Sequence, residues 1–242
     1  MRNIKIIIEY EGAAYHGWQY QKNLPSVQGT LETAIFKLTG ENIRVTAAGR
    51  TDTGVHARGQ VANFKTNKNL TLNQFTSGLN AHLPNDIAVK SAEVVSADFN
   101  ARFQAKRRVY QYFISTEHTA LMRNYCWQIF YSLDAKMLAK LSTTLIGNHD
   151  FGAFCRKTVQ SEHKRCIVFE SGWTRHNALW VYRISANRFL HGMVRTIVGT
   201  LVDAVRGRFT ARQFDQIFKT ADRTLAGPAA PAKGLVLEEV IY

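Results

Sequence analysis

The chain has 242 residues, of which 45% are hydrophobic and 20% are charged, close to the averages of globular proteins. Gly and Pro are too few for a collagen-like or low-complexity chain, and no apolar run is long enough for a transmembrane helix, so we expect no membrane association. Lys and Arg number 31 against 18 Asp and Glu, a formal net charge of +13 that favours a phosphate polyanion such as nucleic acid as the partner.

In the first half, hydrophobic periodicity predicts the order β-α-β-β-α-β. Alternating isoleucines predict a strand over 3–10, and helical spacing after a capping Ser26 predicts a helix over 27–38. The rest of this half comprises three further strands and a second helix: strands over 43–48, 59–65 and 87–95, and a helix between a capping Thr71 and Pro84.

The second half predicts the same order, from a strand over 107–115 to a closing strand over 235–242. After the first of these strands, Asp134 is predicted to cap a helix that ends near Gly147. The remaining elements are strands over 165–173 and 178–186, a long helix over 188–205 and a short helix over 211–219.

The repeated order predicts an α+β fold built from two ferredoxin-like halves. We place these halves at residues 1–103 and 104–242, with antiparallel sheets packed side by side. A cleft between two such halves is a natural ligand site.

The densest polar segment is 49–58, which joins two predicted strands. It carries Asp52 between Arg50 and Arg58, and nearby positive charge favours the ionised carboxylate that a nucleophile or a base requires. The structural alternative is a tight turn in which Asp52 accepts backbone hydrogen bonds. Asp52 is therefore a candidate catalytic residue, and the two arginines are candidates for substrate binding.

Asp52-Thr53-Gly54 also matches the triplet of aspartic proteases. That chemistry needs two carboxylates that share one proton in an apolar setting, whereas this chain has one such triplet. Because the flanking arginines would oppose a shared proton, we do not favour a protease.

A second cluster, at 101–108, is basic and leads into a strand with alternating tyrosines. Strand alternation places Arg108, Tyr110 and Tyr112 on one face. Basic side chains can hold a phosphate backbone while an aromatic ring stacks on a base. The alternative is a solvated basic edge, with the tyrosines half in the core.

A third cluster contains Arg188 and Arg195, whose seven-residue separation predicts one shared face of a helix. A buried arginine there needs a partner, for which Asp52 is one candidate. Otherwise the side chain extends along the apolar surface to solvent.

No motif for a cofactor or a metal occurs in the sequence. The three cysteines form no CxxC pair, the eight histidines form no HxxxH pair, and neither a P-loop nor a Rossmann motif is found. The N-terminal residues also lack a signal-peptide pattern. We therefore expect a cytoplasmic protein that uses no metal or other cofactor.

The sequence GRTDTGVHA at 49–57 resembles the GRTDAGVHA motif of the tRNA pseudouridine synthase A family. Further motifs follow in the family's order, so the resemblance covers nearly the whole chain. They are YEG at 10–12, YHGWQ at 15–19, VQG at 27–29, ARF at 101–103, RVYQY at 108–112, GNHDF at 147–151, FL at 189–190, MVR at 193–195 and GL at 234–235. Departures from the family pattern fall at Thr53, Asn100, Arg188 and Gly192, and none replaces a matched Asp, Tyr or Arg.

The resemblance implies that the chain isomerises uridine to pseudouridine at positions 38, 39 and 40 of the tRNA anticodon stem-loop. It assigns Asp52 as the nucleophile, places Tyr110 on or beside the target uracil, pairs Arg195 with Asp52 and puts Leu235 in the base pocket. It further implies a homodimer, with a tRNA lying across both subunits and no cofactor. The residues alone leave open a non-catalytic RNA-binding module, which needs the cations and aromatic rings but no Asp between arginines.

Overall fold

A computed structural model describes residues 1–156 and 163–242. Two compact units are present: Met1–Lys106 with Val236–Tyr242, and Arg107–Leu235. The last seven residues thus belong with the first unit, whereas the sequence pattern groups them with the second half. They do so because Val236 and Leu237 pair in parallel with the strand that begins at His56.

The first unit is a sheet with two helices. Its elements are β1 Arg2–Tyr10, α1 Val27–Thr39, β2 Thr46–Ala47, β3 His56–Thr66, α2 Leu72–His82, β4 Ile87–Val95 and β10 Leu235–Ile241. The strands run in the order β4-β1-β3-β10, with the short β2 beside β3, and all their pairings are antiparallel except that of β3 with β10.

Local sequence signals set both helices of this unit. The Ser26 side chain accepts a hydrogen bond from the first turn of α1, and Gly40 ends that helix in the left-handed conformation. Thr71 and Gln74 form a reciprocal capping box at the start of α2. The predicted caps at Ser26 and Thr71 are confirmed.

Two buried asparagines join β1 to β3. The Asn63 side-chain amide donates to Asn3 Oδ1 at 2.9 Å and accepts from the backbone N–H of Ala101 at 2.9 Å. The Asn3 amide donates in turn to the carbonyls of Ser96 and Phe99 at 2.9 and 3.0 Å. These bonds satisfy polar groups that would otherwise be buried without partners.

Over its described residues, the second unit is a sheet with three α-helices. Its elements are β5 Arg107–Ser115, β6 Trp127–Gln128, α3 Ala135–Thr143, β7 Gly147–Asp150, β8 Arg165–His176, β9 Leu179–Ala186, α4 Met193–Val205 and α5 Ala211–Thr220. The strands run in the order β5-β9-β8-β7, with antiparallel neighbours, and the short β6 is parallel to β5. Helix α3 packs on β8, where the Trp173 indole N–H donates to Ser142 Oγ at 3.0 Å.

Two helix predictions in this unit are wrong at one end. The helix predicted over 188–205 begins only at Met193, because Gly192 adopts φ +75° and interrupts the helical backbone. Arg188 is therefore not on α4, and its predicted shared helix face with Arg195 is wrong. The helix capped by Asp134 ends at Thr143, and Gly147, at φ +118°, opens β7 instead of closing the helix.

Over residues 1–156 and 163–242, none of the helices has the length and apolar character needed to cross a membrane. The same described residues contain no group of three or more His, Cys, Asp or Glu side chains suited to a metal ion.

Candidate active site

Asp52 lies in the loop that connects β2 to β3 in the first unit. The Asp52 carbonyl accepts a hydrogen bond from the Val55 N–H at 3.1 Å, which closes a tight turn. Gly54 supplies the positive φ of +76° at the third position of that turn. The backbone of Asp52 thus closes the turn, and its carboxylate side chain is half-buried.

The segment that follows β1 packs directly against this loop. A Cβ on Gly12 would lie 2.0 Å from the Val55 carbonyl oxygen, and a Cβ on Gly17 would lie 2.6 Å from the Thr51 carbonyl oxygen. The Trp18 N–H donates to that same Thr51 oxygen at 3.1 Å. Only glycine permits approaches this close, so the two glycines fix the backbone on both sides of Asp52.

No single residue in the sequence predicts the contacts that Gly12 and Gly17 make with this loop. The signal available was the pair of glycines at 12 and 17 within an aromatic run that follows a strand. His56 adds a further contact, because its Nδ1 accepts the Gly12 N–H at 3.0 Å. The imidazole is buried, and its hydrogen bond joins the segment after β1 to the start of β3.

Arg50 and Arg58 occupy different surroundings in the first unit. Arg50 is exposed. Arg58, on β3, forms an ion pair with Glu238 of β10, with 2.8 Å between Nη1 and Oε1. An exposed pair of this kind contributes little to stability and leaves the guanidinium able to exchange partners.

Tyr110, in the second unit, lies on β5 with 8% of its surface exposed. The Phe189 ring meets it edge-on, with 5.1 Å between ring centroids and 90° between their planes. Edge-to-face packing of this kind fixes the orientation of the tyrosine ring. Arg108, on the same strand, donates from Nη1 to the Asn187 carbonyl at 2.7 Å.

Arg195 lies in the first turn of α4, where its side chain is half-buried. Its Nε donates to the Ala230 carbonyl at 2.8 Å, and the Ala230 N–H donates back to the Arg195 carbonyl at 2.9 Å. The neighbouring Pro231 carbonyl accepts from the Tyr112 hydroxyl at 2.8 Å. Burial raises the pKa of Tyr112, and the positive charge of Arg195 acts in the opposite direction.

The segment just before Leu235 is thus tied to both α4 and β5 within the second unit. Gly199 of α4 allows it to approach, since a Cβ there would lie 1.8 Å from the Pro228 carbonyl oxygen. Leu235, the first residue of β10, is buried. Of the predicted site residues, Asp52, Arg50 and Arg58 therefore lie in the first unit, and Tyr110, Arg195 and Leu235 in the second.

Comparison with known proteins identifies the family. A family model described as tRNA pseudouridine synthase matches residues 6–104 and 141–242. A tRNA pseudouridine synthase A from Thermoanaerobacter sp. (strain X514) is 44% identical over 244 residues and covers 100% of both chains. Those of Caldicellulosiruptor saccharolyticus and Acetivibrio thermocellus are 42% and 41% identical, again over 100% of both chains.

A chain of a solved Cbf5–Nop10–Gar1 complex aligns with 82% of this chain and 53% of its own, at 8% identity and a TM-score of 0.36. The family model and the full-length relatives confirm the resemblance seen in the sequence motifs. This chain belongs to the tRNA pseudouridine synthase family.

Proposed function

We propose that the protein isomerises uridine to pseudouridine at positions 38, 39 and 40 of the tRNA anticodon stem-loop, with Asp52 as the nucleophile. The observation that carries the proposal is the Asp52 turn, whose backbone is fixed by the close approaches of Gly12 and Gly17. A preorganised carboxylate is what covalent or base catalysis requires. The family membership supplies the reaction and the RNA class.

The reaction is an isomerisation in which all atoms are retained. The bond between uracil N1 and ribose C1′ breaks, the base turns, and a bond forms between C5 and C1′. The proton on C5 then leaves, and N1 gains one. Asp52 attacks C1′ or C6, or removes a proton from the sugar. A bond from the carboxylate to C1′ breaks when C5 bonds to C1′, a bond to C6 is eliminated after the base has been rejoined, and a proton taken from the sugar is returned to it. None of these routes needs an oxidant, a reductant or water as a reactant.

The remaining candidate residues are proposed to bind the substrate. The target base must leave its stack, which costs a few kcal/mol. We assign Tyr110 to the uracil ring, Leu235 to the base pocket, and Arg195, Arg50 and Arg58 to the RNA. Stacking and phosphate contacts of this kind can offset the unstacking.

The test uses the C5 proton. An unmodified tRNA with uridines in its anticodon arm, labelled with tritium at C5, is incubated with the protein without added metal or nucleotide. We expect tritium release, with pseudouridine at positions 38–40. A protein that binds this tRNA tightly but releases no tritium would instead be the non-catalytic RNA-binding module.

We expect tRNA binding to weaken steeply with salt. The formal charge of +13 implies that binding releases counterions from the phosphates, so log K should fall linearly with log[salt] by about 0.7–0.9 for each phosphate contacted. Filter binding at salt concentrations between about 50 and 200 mM measures the slope of log K against log[salt]. A flat dependence would contradict recognition led by phosphates.

We further propose that the protein is a homodimer and acts in the cytoplasm. The family resemblance implies the homodimer, and the cysteines, whose spacing suggests no disulfide framework, favour the cytoplasm. Light scattering during gel filtration tests the first, with an expected mass twice that of one chain.

A further inference from the structure

A buried hydroxyl pair links the end of β1 to the residue that precedes Asp52. Tyr10 is 3% exposed and Thr51 is 7% exposed. The Tyr10 hydroxyl lies 2.7 Å from Thr51 Oγ1, a normal hydrogen-bond distance between two hydroxyls, and the two side chains are 41 residues apart in sequence. The Thr51 backbone is held as well, since its carbonyl accepts the Trp18 N–H.

The strand pairing brings Tyr10 to this position. Ile8 pairs with Gln60, but Tyr10 pairs with Ala57, so β3 contains one extra residue between the two pairs. A bulge of this kind redirects side chains at the end of a strand. The Gln60 side chain then reaches the same loop, where its Nε2 donates to the Gly49 carbonyl at 3.0 Å.

We propose that Tyr10 is a positioning residue for Asp52, acting through the hydrogen bond between its hydroxyl and the side chain of Thr51. The inference rests on the proposed role of Asp52 as the nucleophile. Tyr10 holds the Thr51 side chain and Trp18 holds the Thr51 carbonyl, so these two hydrogen bonds restrict rotation about the backbone and side-chain bonds of Thr51. The attached Asp52 is thereby kept at a fixed place relative to β1.

The Tyr10 hydroxyl acts in its neutral form. Burial is the main cause that raises its pKa, and the hydrogen bond with Thr51 opposes that rise. The contact therefore does not titrate at physiological pH. A loss of this hydroxyl is expected to lower the rate without changing the shape of the pH–rate profile.

The chain offers a matched control. The Tyr182 hydroxyl lies 2.7 Å from Ser171 Oγ, and Tyr182 is fully buried in the second unit. Tyr182→Phe and Tyr10→Phe each remove one hydroxyl and leave one buried alcohol without its partner. The two variants should lose similar stability.

We expect Tyr10→Phe to lower kcat for tritium release by about 10- to 100-fold with KM changed less than about twofold, as for a small displacement of a catalytic group. Tyr182→Phe should keep the kcat of the wild type. Equal kcat values in Tyr10→Phe and the wild type, or equal losses in both variants, would overturn the inference.

A double-mutant cycle tests the route through Thr51. Thr51→Val removes the same hydrogen bond, so adding Tyr10→Phe to it should cause little further loss of kcat, whereas Thr51→Ser should retain most of the activity. Losses that multiply in the double variant would exclude Thr51 as the link. If Tyr10→Phe does not fold, Thr51→Val tests the same hydrogen bond in its place.

Hydrogen exchange separates this inference from the proposed function. The amide of Val55, which closes the Asp52 turn, should exchange faster in Tyr10→Phe than in Tyr182→Phe. If the wild type releases no tritium, the proposed function fails, while faster exchange still supports Tyr10 as the residue that holds the loop. Unchanged exchange would refute the holding role whatever the activity.

Discussion

Asp52→Asn is expected to abolish pseudouridine formation while leaving tRNA binding nearly intact. Asparagine has nearly the same shape as aspartate but supplies neither a nucleophile nor a base, so turnover should fall by about 10⁴-fold or more. The fold should persist because the turn is closed by the Asp52 carbonyl and the Val55 N–H, which both remain. Single-turnover tritium release and filter binding measure the two quantities.

Asp98→Asn provides the control for this change. Asp98 is an exposed carboxylate in the same unit, where a hydrogen bond from Ser96 lowers its pKa. It carries the same loss of charge and should keep the activity of the wild type. Turnover of Asp52→Asn within about tenfold of the wild type would exclude Asp52 as the nucleophile.

Gly12→Ala is expected to have the second largest effect. Its Cβ would lie 2.0 Å from the Val55 oxygen and 2.6 Å from the Val55 carbonyl carbon, so one of the two backbones must move. A displacement of about 1 Å at the catalytic group can lower the rate by about 100-fold. Overpacking of this kind should also lower Tm by roughly 5 °C or more.

Gly49→Ala gives the contrasting result within the matched motif. A Cβ on Gly49 would meet nothing within 4 Å, and Gly49 is not among the glycines with positive φ. Its Tm should therefore change by no more than about 4 °C. If thermal unfolding shows Gly49→Ala to be as unstable as Gly12→Ala, steric contact between the two segments is not what fixes the loop.

Local signals in the sequence predicted most of the elements. Ser26 and Thr71 predict the starts of α1 and α2 because a capping side chain accepts a hydrogen bond from the first turn of the helix that follows it. The predicted start of α4 was wrong because Phe189 continues the helical spacing of the apolar residues that follow it. In the structure Phe189 lies before the start of α4, and its ring packs against the ring of Tyr110.

The contacts that support the candidate site were not predicted, because they come from distant parts of the chain. Residue type and charge were sufficient to single out Asp52. The contact between Gly12 and Val55 spans 43 positions, and no local pattern encodes it. The same holds for the closing strand, whose sequence predicts an extended backbone but not its pairing with His56 and Ala57.

The buried pair of Asn3 and Asn63 determines which alignment of two strands the chain can adopt. A slip of β1 along β3 by two residues would return every apolar side chain to the same face, so hydrophobic burial alone does not forbid it. Such a slip would separate the two amides, leaving buried groups that have lost their partners. Since Tyr10 meets Thr51 in the native alignment, these asparagines at one end of β1 also keep the loop that carries Asp52, at the other end, in its native register.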